Sequence, residues 1–179
     1  METHFTSAAA LLTISLLLVS CGAPPYECID PLGCVEISPS RPVVIGALLT
    51  VYGSQGAAGR QAVDEIKTAI QETSPIFGHE IQLVWQGTDC SEENARLAAT
   101  LLTATPDLLA VIGPSCADDA HIAIPILEDA GLSLIPPFPG VTEALRRLVF
   151  AIEQTAIQQT NGAIVLPRTA FQQAIQVLP

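Results

Sequence analysis

Val43–Thr50 reads VVIGALLT, a run with no polar side chain until its last residue. A strand covered on one face alternates apolar and polar residues, whereas one covered on both faces is continuously apolar. Such a strand needs layers on both sides, and the residues that follow supply them. Gly56–Glu72 has helical periodicity, with Ala62, Val63, Ile66, Ala69 and Ile70 on one face. Ile81–Trp85 reads as a second strand. Ser91 is placed to cap the next helix, with Glu92 and Glu93 in its first turn and Leu97, Leu101 and Leu102 as its apolar side. Leu108–Ile112 is a third strand. Asp118 is placed to cap a third helix that runs to Ala130 and stops at Gly131. Leu132–Ile135 is a fourth strand, ended by Pro136-Pro137. This alternation predicts an α/β fold: a parallel sheet of about four strands, right-handed crossovers and helices on both faces.

The remainder has a different character. Thr142–Ile157 reads as a helix with Leu145, Leu148, Val149, Ile152 and Ala156 on one side. Asn161-Gly162 is a turn and Ala163–Leu166 a short strand. Pro167 opens a last helix carrying Phe171, Ala174, Ile175 and Leu178.

At the other end, apolar residues Ala8–Val19 lead into Leu18-Val19-Ser20-Cys21. Leu, a tolerant position, a small residue and then Cys is the processing signature of bacterial lipoproteins. The apolar run is too short for a bilayer span, which needs about 20 residues. The expectation is a signal peptide over residues 1–20, lipidation of Cys21, and an extracytoplasmic chain anchored to the bacterial cell membrane by lipid. Residues 21–42 then form an irregular tether with a small disulfide loop, ending at Arg41-Pro42.

With Cys21 assigned, Cys28, Cys34, Cys90 and Cys116 remain, and four thiols allow three pairings. Asp30-Pro31-Leu32-Gly33 suits a type I turn that brings Cys28 and Cys34 together. Cys90 and Cys116 each follow an expected strand, where strand ends converge. No Cys-x-x-Cys pair is present, so the spacing does not indicate a metal site.

Eighteen acidic residues against seven basic ones give a net charge of −11. Phosphate binding needs a basic face, so nucleic acid is not an expected partner. Gly53, Gly56 and Gly59 follow the first strand, but a dinucleotide fingerprint needs its first two glycines one residue apart. They read as a loop before a helix. His79 and His121 have no partner at catalytic spacing and read as structural or exposed. No Gly-x-Ser-x-Gly, His-Glu-x-x-His or Walker loop occurs. The expectation is therefore no enzyme and no cofactor.

Several motifs stand in a characteristic order: Ile45-Gly46-Ala47-Leu48 with Tyr52-Gly53, Gly59-Arg60-Gln61-Ala62, Asp89-Cys90, Val111-Ile112-Gly113-Pro114-Ser115-Cys116, and Ile124-Pro125-Ile126-Leu127-Glu128-Asp129-Ala130-Gly131. Over residues 43–137 the chain resembles the branched-chain amino-acid type (type I) of periplasmic substrate-binding protein, a component of ABC importers. The resemblance implies a Cys90–Cys116 disulfide, a small-molecule solute such as an amino acid, and an ABC permease as partner. It also implies two lobes closing on the ligand. Here residues 43–140 correspond to the first lobe. Residues 141–179, with Ala151-Ile152-Glu153-Gln154 and Pro167-Arg168-Thr169-Ala170, resemble a late segment that returns to that lobe. The chain reads as a first lobe with the second one deleted.

The resemblance places the solute's carboxylate after the third and fourth strands. The corresponding residues here are Cys116, Ala117 and Asp118, then Phe138, Pro139 and Gly140, with Tyr52 along the cleft. Ala117 replaces an expected hydroxyl, and Asp118 and Asp119 oppose a carboxylate. Two functions follow as expectations: an impaired, lipid-anchored solute-binding domain, or a vestigial structural fragment that binds nothing.

Overall fold

The computed structural model describes residues 26–137 and 139–177. Cys21, Phe138 and Leu178 lie outside these residues.

The continuous apolar run becomes the centre of the sheet. After a short strand β1 (Cys34–Ile37), β2 (Val43–Thr50) is buried at all eight positions. It pairs in parallel with β3 (Ile81–Thr88) along its whole length, from Val43 opposite Ile81 to Thr50 opposite Thr88. On its other side lies β4 (Leu108–Ile112), also parallel, and β5 (Ser133–Ile135) continues the sheet, giving the order β3-β2-β4-β5.

Alternate residues of β2 face opposite layers. Val43, Ile45, Ala47 and Leu49 join a core with Val63 and Ile66 of α1 (Gly56–Glu72), Leu145, Leu148 and Ile152 of α4 (Val141–Thr155), and Phe171 and Ile175 of α5 (Arg168–Val177). Val44 and Leu48 pack with α2 (Glu92–Thr103) and α3 (Ala117–Asp129) through Ala98, Ala99, Leu102, Ala123 and Leu127. Helices thus cover both faces. At about 25 cal/mol per Å² of buried apolar surface, these two cores are the main source of stability.

Four local expectations are corrected. Leu97 and Leu101 are 57% and 46% exposed, and α2 instead buries Ala95, Ala98, Ala99 and Leu102. The small alanine face lets the helix lie close to its neighbours, which the larger leucines would prevent. Asp118 does not cap α3. Cys116 holds the cap position, its side chain committed to a disulfide, and Asp118 falls in the first turn. The tether is not wholly irregular, because β1 pairs antiparallel with β7 (Ile164–Pro167), which also pairs with β6 (Ile157–Gln158). Buried Val35 and Ile37 flank exposed Glu36, a period-two signal too short to stand out in sequence. Pro167 accordingly ends β7, and α5 begins at Arg168.

The smaller sheet is tied to the larger one by His79. Its ring is buried, with Nδ1 2.8 Å from the Arg41 carbonyl oxygen and Nε2 3.1 Å from that of Gly162. Cys28 is bonded to Cys34 and Cys90 to Cys116, with Cα separations of 6.1 and 5.9 Å. Among the described residues, no helix is long and apolar enough to cross a membrane.

Candidate functional site

In an open parallel sheet, ligands bind in the crevice outside the carboxyl ends of the strands. Here those ends are Thr50, Thr88 and Ile112, and an open cavity of about 540 Å³ lies at the Thr50 end of β2, next to Ser115, which follows β4. Thr50, Ser54, Gln55, Ser115, Pro139 and Gly140 are among its lining residues. Gly59 also lines it, where a Cβ would overlap the Thr50 carbonyl oxygen. Glycine therefore allows the start of α1 to press against the end of β2.

Three helices begin near this cavity. The first N–H groups of any helix lack intrahelical partners and favour an anion or a capping side chain. At α3, Asp118 and Asp119 stand in the first turn, and at α4, Glu143 does. At α1 there is neither a side-chain cap nor an acidic residue in the first turn; the Gly53 carbonyl takes the Gly56 N–H, and Gln55, Ala57 and Ala58 line the cavity. Its N-terminus is the most anion-receptive element of the site.

Behind the lining lies a buried polar cluster. Asp119 is fully buried, and its Oδ2 accepts hydrogen bonds from the hydroxyls of Thr88 and, at 3.1 Å, Thr50. Among the described residues its Oδ1 has no hydrogen-bond partner. Burial pushes the Asp119 carboxyl above its ordinary value; the threonine hydrogen bonds oppose this, and nearby Asp89 and Asp118 add to it. Ser115 Oγ accepts from the Thr50 backbone N–H at 2.8 Å and lies 3.4 Å from Thr50 Oγ1. At the end of β3, hydrogen bonds from the Ser91 hydroxyl and the Asn94 amide hold the Asp89 carboxyl below the usual range.

The sulfurs of Cys90 and Cys116 and an Asp118 oxygen lie within 4.8 Å of one another. Metals take thiolates rather than disulfide sulfurs, so the oxidised pair offers no metal site.

No family model and no curated protein sequence matches the chain. Solved structures do. The leucine-binding protein LivK of Thermotoga maritima is 27% identical, with a TM-score of 0.49 over 53% of this chain and 27% of that one. The branched-chain amino acid transporter substrate-binding protein LivJ of Streptococcus pneumoniae, solved with isoleucine, is 25% identical, with a TM-score of 0.50 over 54% of this chain and 29% of that one. A putative branched-chain amino acid ABC transporter protein from Rhodospirillum rubrum shares the fold at 13% identity, with a TM-score of 0.50 over 76% and 47% of the two chains. The fold is one lobe of a type I periplasmic binding protein. These matches cover between about half and three quarters of this chain, which spans between about a quarter and a half of the lengths of the proteins it matches.

Within this type I lobe, the residues singled out in the sequence are dispersed. Pro139 and Gly140 line the cavity, and Gly140 immediately precedes α4. Cys116 is held by its disulfide, and Ala117 and Asp118 are exposed at the start of α3. Tyr52 is 59% exposed and lies beside Gly87, and it is not among the cavity's lining residues. Sequence reasoning missed Thr50, Thr88 and Ser115, and it read Asp119 as a charge opposing the solute's carboxylate rather than as the buried acceptor of two threonine hydroxyls. The available signal was positional: Thr50 and Thr88 are the polar last residues of adjacent parallel strands.

Proposed function

We propose that this chain is an extracytoplasmic solute-binding lobe, anchored through lipid on Cys21, that serves an ABC permease for amino acids or similar small solutes. Its role is binding rather than catalysis. The observation that carries the reading is the cavity at the carboxyl ends of the strands, bordered by the uncapped N-terminus of α1. An α-carboxylate matches that helix end. The names of the structural neighbours, one solved with isoleucine, support the solute class.

Binding by this lobe alone is weak. Small-molecule pockets normally cover about 70–90% of a ligand, and a single cleft wall leaves the other side of the solute in water. Micromolar affinity corresponds to about −8 kcal/mol, and forfeiting roughly half leaves the millimolar range. Isothermal titration of the oxidised chain with leucine, isoleucine, valine and polar amino acids tests this. Millimolar, saturable binding supports it; no binding by any of them favours a structural fragment. Fatty-acid labelling in a bacterial host should mark the wild type and not Cys21→Ala.

A further inference from the structure

The polar wall of the cavity has a fixed direction. An ionised carboxylate only accepts hydrogen bonds, whereas each hydroxyl has one proton to give. Thr88 and Thr50 both direct their hydroxyls to Asp119 Oδ2. With its proton committed there, Thr50 Oγ1 can only accept; the Thr88 hydroxyl also lies 3.4 Å from it but gives its proton to Asp119, which leaves the Ser115 hydroxyl, likewise 3.4 Å away, to donate to it. Ser115 Oγ already accepts from the Thr50 N–H. One lone pair of Ser115 then remains for whatever occupies the cavity, and no proton. Asp119 Oδ1 is buried and receives no donor among the described residues that could reorient the carboxylate.

We propose that Asp119 is a specificity-determining residue: through Thr50 it holds Ser115 as a hydrogen-bond acceptor, so this wall of the cavity takes the ammonium or N–H side of a solute rather than its carboxylate. The inference rests on the reading of the cavity as a solute cleft. It complements the α1 N-terminus, which receives the opposite charge, so the two together suit a zwitterion.

The test uses two halves of leucine as probes, 3-methylbutylamine and 4-methylpentanoate, titrated into the oxidised full chain at neutral pH by NMR. Ser115→Ala is expected to weaken the amine about tenfold, or 1.4 kcal/mol, and to leave the carboxylate nearly unchanged. That substitution does not alter net charge, so the change reads the oxygen and not the acidity of the protein. Asp119→Ala removes the acceptor of both threonine hydroxyls, which frees their protons. Thr50 then donates to Ser115, Ser115 donates into the cavity, and the preference shifts toward 4-methylpentanoate. Equal weakening of both probes by Ser115→Ala, or a loss confined to the carboxylate, overturns the inference and leaves the solute reading standing. A protonated Asp119 carboxyl at neutral pH, read from its 13Cγ resonance without ligand, also overturns it alone. If neither probe binds the wild type, the solute reading and this inference fall together.

Discussion

Asp30 caps a helix that begins 138 residues later in the chain: its carboxylate accepts hydrogen bonds from the Thr169 backbone N–H at 3.0 Å and from the Thr169 hydroxyl at 2.8 Å. The same side chain accepts from Leu32 N–H at 2.8 Å, inside the turn closed by Gly33 N–H to the Asp30 carbonyl. The Cys28–Cys34 loop is therefore the N-terminal cap of α5, and β1 and β7 run side by side next to it.

Removing this cap should loosen α5 specifically. Desolvation pushes the Asp30 carboxyl up, but hydrogen bonds from Thr169, Leu32 and Ala170 outweigh it and leave the group below its ordinary value. Its contribution is thus present at neutral pH and lost as pH falls through the depressed value. Asp30→Ala is expected to lower the melting temperature by about 3 °C at neutral pH, with the difference shrinking in acid. Thermal melts across the acid range check it, and a pH-independent difference would contradict the capping role.

Both disulfides should stabilise the chain, the longer loop more. Loop-closure entropy for a separation of 26 residues gives about 3.5 kcal/mol, against about 2 kcal/mol for a separation of 6. Urea unfolding of the Cys90→Ser/Cys116→Ser and Cys28→Ser/Cys34→Ser variants should rank them in that order. Non-reducing peptide mapping of secreted material should find both pairings.

His79→Ala is expected to cost about 2–3 kcal/mol, because it removes the ring packed against the Arg41 and Gly162 carbonyls, takes away the N–H that one of them accepts, and opens a cavity. Hydrogen exchange should speed up in β7 and at the start of β2, which these carbonyls flank. A uniform loss of protection across the sheet would point to general destabilisation instead.

Asp119 has the opposite sign to Asp30. Its folded-state value is raised by burial, so the native state holds its proton more tightly than the unfolded chain does. Its penalty is absent below the unfolded value, grows as pH rises through the folded one, and persists at neutral pH. Asp119→Asn is expected to be at least as stable as the wild type at neutral pH and to lose that advantage in acid. Urea melts at the two pH values decide it.

How much of this was legible in the sequence depended on the length of each signal. Val43–Thr50 and the periodic face of α1 announced the central strand and its cover because eight and more residues repeat one message. Glu36 between Val35 and Ile37 carried too few residues to announce β1, whose partner β7 lies far along the chain. Leu97 and Leu101 misled because the packing of α2 selects small residues over apolar ones. At the site, Pro139 and Gly140 were legible from motif position. The relay of Thr50, Ser115 and Asp119 was not, since it depends on three strand and helix ends meeting in space.

The most direct test of the central claim is an amide NMR titration of the oxidised chain with isoleucine. The expected result is a saturable, millimolar response confined to Ser54, Gln55, Ala57, Ser115 and Gly140, the residues around the cavity. A response centred elsewhere, or none at saturating solute, would contradict the assignment of this cavity as a solute cleft, and micromolar affinity would contradict the argument that one wall binds weakly.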